Sequence, residues 1–279
     1  MNRIKAYQQQ QDDQALKQRA ANGDAVAQYE LAILRLRSSP AESFEWLQKA
    51  ANQGHAEAQA SLGESYTHDQ YFNLKGTNPS PDIPRDYAKA ASWFLKAAVQ
   101  GQPHAQRRLG DLHNWGEGVP HSPEQAVAWY SHAAVRGDAT AQRLLGDMYY
   151  FGRGVLQDYA HAALWYNKAA EASSYSGIVS LGYLYSNGYG VRQDYVEAYY
   201  WFELARVLCE KYRSAFDPID VALSGGYRVD VAVSGKHETF NLASTEERDK
   251  AASHLRHDDI VCAQERVREW LEDHPANPQ

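Results

Sequence analysis

Apolar residues in this chain recur at i, i+3, i+4, i+7 and i+8, the spacing that gathers five side chains on one face of an α-helix. Ala126, Trp129, Tyr130, Ala133 and Ala134 form one such face; Ala90, Trp93, Phe94, Ala97 and Ala98 form another; Ala162, Trp165, Tyr166, Ala169 and Ala170 a third. Aromatic rings fill the space between helices, and alanines let the next helix come close. Polar residues mark where these helices begin. Asp86, Asp158 and Asp194 stand where a side chain can accept from free backbone amides, and Ser122-Pro123-Glu124-Gln125 reads as a capping box with proline at the first helical position.

The faces are periodic. Leu109-Gly110, Leu145-Gly146 and Leu181-Gly182 follow one another every 36 residues, as do Trp129, Trp165 and Trp201, and each copy carries a turn in register: Gly116-Glu117-Gly118-Val119, Gly152-Arg153-Gly154-Val155, Gly188-Tyr189-Gly190-Val191. A fixed period in this range predicts stacked helix-turn-helix units, in which glycine leaves bare backbone for the partner helix to pack against. Two earlier copies depart from the pattern. The first has Leu31-Ala32 for Leu-Gly and lacks the glycine turn, with Ser38-Ser39-Pro40 as its connection; the second has Leu62-Gly63 and an insertion, His68 to Pro84, that holds Tyr71, Phe72 and Leu74. The expected organisation is an N-terminal capping helix within 1–22 closed by Gly23, then repeats over 23–54, 55–101, 102–137, 138–173 and 174–206. An insertion over 207–243 and capping helices over 244–279 follow. Within the insertion, Tyr227 to Val233 alternates, Ser234-Gly235-Lys236 turns and His237 to Leu242 returns, which predicts a β-hairpin. In the tail, Ser244 with Glu247 and then Asp258 are the expected caps of two helices broken near His257-Asp258. Ile260, Val261, Ala263, Val267 and Trp270 form the apolar stripe of the second.

The run Ala, Leu-Gly, Tyr, Gly-x-Gly-Val, Asp, Ala, Trp-Tyr, Lys-Ala-Ala over residues 103–206 resembles the Sel-one-like repeat (SLR) family, relatives of the tetratricopeptide repeats; the likeness extends over roughly 20–206. It implies an all-α, right-handed α-solenoid, to which the alternating segment near the C-terminus would add a small hairpin-like insertion. In such superhelices the first helix of each unit lines the concave side. The positions implied to face that groove are Glu64, Thr67, Arg107, Asp111, Asn114, Trp115, Arg143, Asp147, Tyr150, Phe151, Val179, Tyr183 and Ser186. Aromatics mixed with Arg and Asp are the chemistry of interface anchors. Trp115, Tyr150 and Phe151 have an alternative role, packing between units at the turn. In the insertions, Tyr71, Phe72, Arg228, Asp230 and Lys236 are the candidate contacts. The resemblance implies a non-enzymatic, protein-binding scaffold without a cofactor, such as a cytoplasmic immunity protein, adaptor or chaperone for a secreted bacterial effector; a self-assembling protein, as a homodimer, is a further reading. The paired cysteines of relatives linked to β-lactams do not occur here, so that activity is not carried over.

Composition narrows the partner. Lys plus Arg number 28 against 35 for Asp plus Glu, a net charge of −7, which speaks against a nucleic-acid footprint. From Val207 onward 9 basic residues face 14 acidic ones, −5 of that −7, an excess that would steer a basic effector or toxin. Two unclustered cysteines, Cys209 and Cys262, fit a reducing compartment; MNRIKAYQQQ has no apolar signal core, and no run approaches a membrane span. These features predict a cytoplasmic protein. His254, His257, Asp258 and Asp259 are the one grouping that suggests metal chemistry, and with it an alternative enzyme, hydrolytic or metal-dependent, in the His-rich tail. The Gly-x-Gly-Val turns join helix to helix and lack the preceding strand of a dinucleotide loop; no G-x-S-x-G or H-E-x-x-H occurs.

Overall fold

The computed structural model describes residues 13–36, 38–67, 84–213 and 239–274, and these are helical throughout apart from turns. The helices are α1 (13–21), α2 (Ala25–Arg35), α3 (Pro40–Asn52), α4 (Ala56–Thr67), α5 (Tyr87–Val99), α6 (Pro103–Trp115), α7 (Pro123–Val135), α8 (Ala139–Phe151), α9 (Tyr159–Glu171), α10 (Tyr175–Asn187), α11 (Tyr195–Arg213), α12 (Thr239–Ala252) and α13 (His257–Asp273). The chain divides into two compact units, Met1–Ala141 and Gln142–Gln279. In each, helices pair with their neighbours in sequence as an α-solenoid.

The expected caps of the repeats form. Asp86, Ser122 and Asp158 each accept from backbone amides one turn on, and Asp194 accepts from Val196 at 2.8 Å and Glu197 at 3.1 Å; Asp24 caps α2 in the same way. Gly23 adopts φ +95° after α1, as its place at the end of that helix requires.

In the first unit the Leu-Gly pair has a definite partner. A Cβ on Gly63 would lie 2.7 Å from the Phe94 ring, and one on Gly110 would lie 2.7 Å from the Tyr130 ring. Both rings are essentially without solvent exposure. The first repeat solves the same problem with other letters. There Ala32 faces a helix carrying Leu47 in the ring's place, and Ser43 Oγ donates to the Ala32 carbonyl at 2.7 Å. A smaller partner has room for a larger residue, which accounts for the departure from Leu-Gly. The tryptophans themselves are half-buried at each helix's edge, where Lys49 covers Trp46 and Lys96 covers Trp93 at 3.9 and 3.8 Å. The residue after each tryptophan is therefore the wedge. A second tie joins successive pairs: buried Gln28, Gln59 and Gln106 donate Nε2–H to the carbonyls of Ala20, Ala51 and Ala98 at 2.9–3.1 Å, satisfying the ends of the preceding helices.

The second unit repeats the scheme. Gly146 and Gly182 lie under the rings of Tyr166 and Phe202, each 2.6 Å from where a Cβ would stand. Its last helix pair is covered by α12 and α13: Ala251, Ala263 and Val267 are buried with Phe202, Leu204 and Leu208, and Ile260 and Trp270 pack partly against them. Polar ties hold the cover. Arg266 pairs with Glu197 at 2.7 Å, Arg248 with Glu203 at 3.3 Å, and the His254 ring stacks on Tyr195 at 4.1 Å. Three expectations are corrected here. α11 continues past residue 206 to Arg213, so the connection to the cover is shorter than 207–243. α12 starts at Thr239, which places Ser244 inside a helix and makes the expected returning strand helical from 239 on. At the start of α13, Asp259 rather than Asp258 accepts from the Arg256 amide, at 3.2 Å. The remainder of the expected hairpin, with Arg228, Asp230 and Lys236, and the loop residues Tyr71 and Phe72 lie outside the described residues.

Candidate protein-binding surface

The first-helix residues expected to line a groove separate by exposure. Glu64, Thr67, Arg107, Asp111, Arg143 and Ser186 are all buried. In the first unit, Glu64 pairs with Arg108 across α4 and α6 at 2.5 Å, lies 3.3 Å from His104 Nε2, and accepts from the Thr67 hydroxyl at 3.2 Å. Asp111 accepts from Tyr130 Oη at 2.9 Å and lies 3.3 and 3.5 Å from Arg108 and Arg107; Arg107 also reaches Asp138 at 3.4 Å. The second unit has the same device 36 residues on. Asp147 accepts from Tyr166 Oη at 2.6 Å and pairs with Arg143. These charges join helices to one another. Burial outweighed helical position because Asp111 and Asp147 each found a tyrosine and an arginine, and Glu64 found Arg108. The Ser186 carbonyl is likewise occupied, by Gln193 Nε2 at 2.8 Å.

Burial pushes the Asp111 carboxyl up to about 6 against the opposing pull of Arg107, Arg108 and Tyr130; Asp147 is raised for the same reason. A folded-state pKa above the unfolded value means this carboxyl's stabilising share is complete below about pH 4 and is lost as pH rises through 6. Asp111→Asn keeps an acceptor for Tyr130 and removes the titration. The wild-type chain is thus expected to lose, relative to the variant, on the order of 2 kcal/mol between pH 4.5 and 7.5. Parallel stability–pH curves from urea unfolding would show that Asp111 does not titrate in that range.

The reachable members of the set are fewer. Trp115 and Phe151 end the first helices of consecutive repeats and are 57% and 55% exposed. Asn114, Asp147, Tyr150, Val179 and Tyr183 are half-buried; Val179 packs against the core and Tyr183 meets Phe202 edge-on at 5.3 Å. Residues outside the expected set complete the surface. Tyr150 meets Tyr159 at 5.1 Å, Tyr159 stacks on Tyr189 at 4.9 Å, and the Arg153 guanidinium lies 4.9 Å over Phe151. The variable letter of Gly-x-Gly-Val, Arg153 or Tyr189, was the available signal for them. In the tail, His254 is taken up by Tyr195 and by the Lys250 carbonyl at 2.9 Å, and among the described residues no three His, Cys, Asp or Glu side chains are grouped to hold a metal ion. No helix among the described residues is long and apolar enough to cross a membrane.

Comparisons with known proteins agree with this architecture. The Sel1 repeat model matches residues 25–55, 56–102, 103–138, 139–174 and 177–206. The crystal structure of a protective antigen of uropathogenic Escherichia coli, which displays an SLR fold, is 30% identical with a TM-score of 0.62, over 95% of this chain and 53% of that one. The chain therefore spans about half of that antigen's length. A Sel1 repeat protein from Oxalobacter formigenes is 28% identical, also at 0.62, over 75% of this chain and 86% of that one. An immunity protein of Pseudomonas aeruginosa, 20% identical over 65% of this chain and 80% of its own, superposes at only 0.35, too loosely to carry a functional argument. The comparison with curated proteins gave no match. Five consecutive family matches, each bearing the helix pair and the small residue that receives the next helix, show that the chain belongs to the Sel1 repeat family.

Proposed function

We propose that this chain is a non-enzymatic scaffold that binds a protein partner through the C-terminal ends of its first helices, with Trp115 as the anchor of the first unit and Phe151 as the anchor of the second. Sel1 repeats are protein-interaction modules, which gives the class of function. The observation that carries the assignment to these two residues is their register. They occupy the same position in consecutive repeats and both leave a large ring more than half in water, while the rings at the Tyr130 position of every such repeat are buried. Exposed apolar surface of this size is what a partner covers. Asn114 and Tyr150 supply polar contacts beside the anchors. A cytoplasmic role as adaptor or immunity protein for a secreted effector is the finer form of the proposal, and it rests on the family resemblance alone.

The test is affinity capture with the full chain, followed by quantitative binding of the captured protein. Trp115→Ala and Phe151→Ala are each expected to weaken that binding about 30-fold, the effect of losing an anchor of about 2 kcal/mol. Melting temperature should hardly move, since neither ring is in the core. Unchanged affinity in both variants would remove this surface from the function.

A further inference from the structure

We propose that the cavity between α11 and α13 in the second unit is a binding site for a neutral aromatic ring carrying one N–H or O–H group. The site uses none of the residues of the surface proposed above, so the two readings stand or fall separately.

The cavity has its origin in the repeat. Glu203 and Val207 stand where α5 carries Leu95 and Val99 and α7 carries Ser131 and Val135, four residues apart on the outward side of a second helix. In the first unit that side faces water: Leu95, Val99 and Val135 are 46%, 69% and 76% exposed. In the second unit α13 runs along it. Arg266 on Glu197 at 2.7 Å and Gln264 Nε2 on Tyr199 Oη at 3.1 Å hold the two helices together. One turn further on they face each other through short side chains, Val207 and Val267. A cavity of about 210 Å³ remains, half open to solvent and lined by Glu203, Val207, Gln264, Val267, Arg268 and Leu271.

Size and lining select the occupant. An apolar cavity of about 150 Å³ holds benzene, so this one admits an indole or a substituted phenyl ring. Val207, Val267 and Leu271 supply apolar walls. Arg268 is exposed and makes no hydrogen bond or ion pair among the described residues. Its planar guanidinium can lie on a ring face, as Arg266 of the same helix lies over Tyr200 at 4.2 Å. The donor on the ring follows from Gln264, whose Nε2 is spent on Tyr199, leaving Oε1 as an acceptor in the wall. The charges around the cavity favour a neutral ligand. Glu203 lies 2.6 Å from Arg206 and 3.3 Å from Arg248. Arg268 shares its helix surface with Glu265 and Glu272, three and four residues away. A carboxylate would therefore meet three acidic side chains as well as that one arginine.

Fluorine NMR of the full chain with fluoroindole as the probe tests this. Its resonance is expected to shift saturably, with a dissociation constant on the order of 1 mM or below. Fluoroindole acetate, which adds a carboxylate, should bind at least about 5-fold more weakly, and so should N-methyl fluoroindole, which lacks the donor. Val207→Trp fills the cavity and should abolish binding. Gln264→Met should weaken fluoroindole about 5-fold and leave the N-methyl probe unchanged. If Val207→Trp loses its cooperative melting, the N-methyl probe and Gln264→Met carry the test. No saturable shift, undiminished binding in a folded Val207→Trp, or equal or tighter binding of either control probe would each overturn the inference. The ring's source is read from the partner captured as above. Loss of that partner in Val207→Trp assigns the ring to one of its side chains, and retention assigns it to a free small molecule.

Discussion

Gly118→Ala is expected to destabilise the first unit by about 2–5 kcal/mol, from a left-handed backbone cost of about 1–2 and an overpacking cost of about 1–3. The residue has φ +68°, and a Cβ there would lie 2.2 Å from the carbonyl carbon of Tyr87 and 2.5 Å from the amide nitrogen of Ala88. Both atoms are backbone in the first turn of α5, so no side-chain rotation relieves the overlap; the turn must withdraw from the preceding repeat. Gly116 in the same turn is the control. It has φ +70°, but its nearest neighbour is the His121 Cβ at 3.0 Å, so Gly116→Ala should carry mainly the conformational cost. Urea unfolding of the two variants checks the order. Equal losses would mean that the second glycine serves only the turn's own geometry, not the seating of one repeat on the next.

This distinction marks how far the sequence could be read. Both glycines identify a turn between helices, but the reason for the second lies 31 residues upstream at Tyr87, and nothing local reveals it. The helix faces and the caps at Asp86, Ser122, Asp158 and Asp194 were legible because they depend on spacing within a few turns of chain. Arg107 and Asp111 illustrate the opposite case. Helical position alone puts them on an open face, whereas Tyr130, 19 residues on, and Arg108 beside them draw the carboxylate inside. The expected returning segment, His237 to Leu242, suits a strand or a helix end equally well, and from Thr239 the chain takes the helix. Of the candidate surface, Trp115 and Phe151 were visible as repeated aromatics. Arg153 and Tyr189 showed only as the variable letter of the glycine turn and Tyr159 not at all, because ring-to-ring distances across a turn leave no trace in periodicity.

Tyr130→Ala should cost about 3–5 kcal/mol, the range for emptying a buried aromatic site. The ring is 1% exposed and lies directly over Gly110. Gly110→Ala alone should cost about 1–3 kcal/mol, since its new methyl would stand 2.7 Å from that ring. The two losses should not add. With the ring gone the methyl meets no obstacle and fills part of the cavity, so the double variant should recover about 1–3 kcal/mol relative to the sum. Additive losses in a double-mutant cycle would mean that glycine and ring act independently, and the account of Leu-Gly as the ring's seat would fail. Tyr130→Phe separates packing from polarity. It keeps the ring and removes only the donor to Asp111, at a cost of about 1–2 kcal/mol. The chain already contains that separation: Phe94 and Phe202 occupy the ring position where the residue after glycine is Glu64 or Tyr183, and tyrosine stands there only where it is Asp111 or Asp147. The hydroxyl thus follows the aspartate, while the ring follows the glycine, and the array keeps its stacking geometry whichever polar pair each repeat carries.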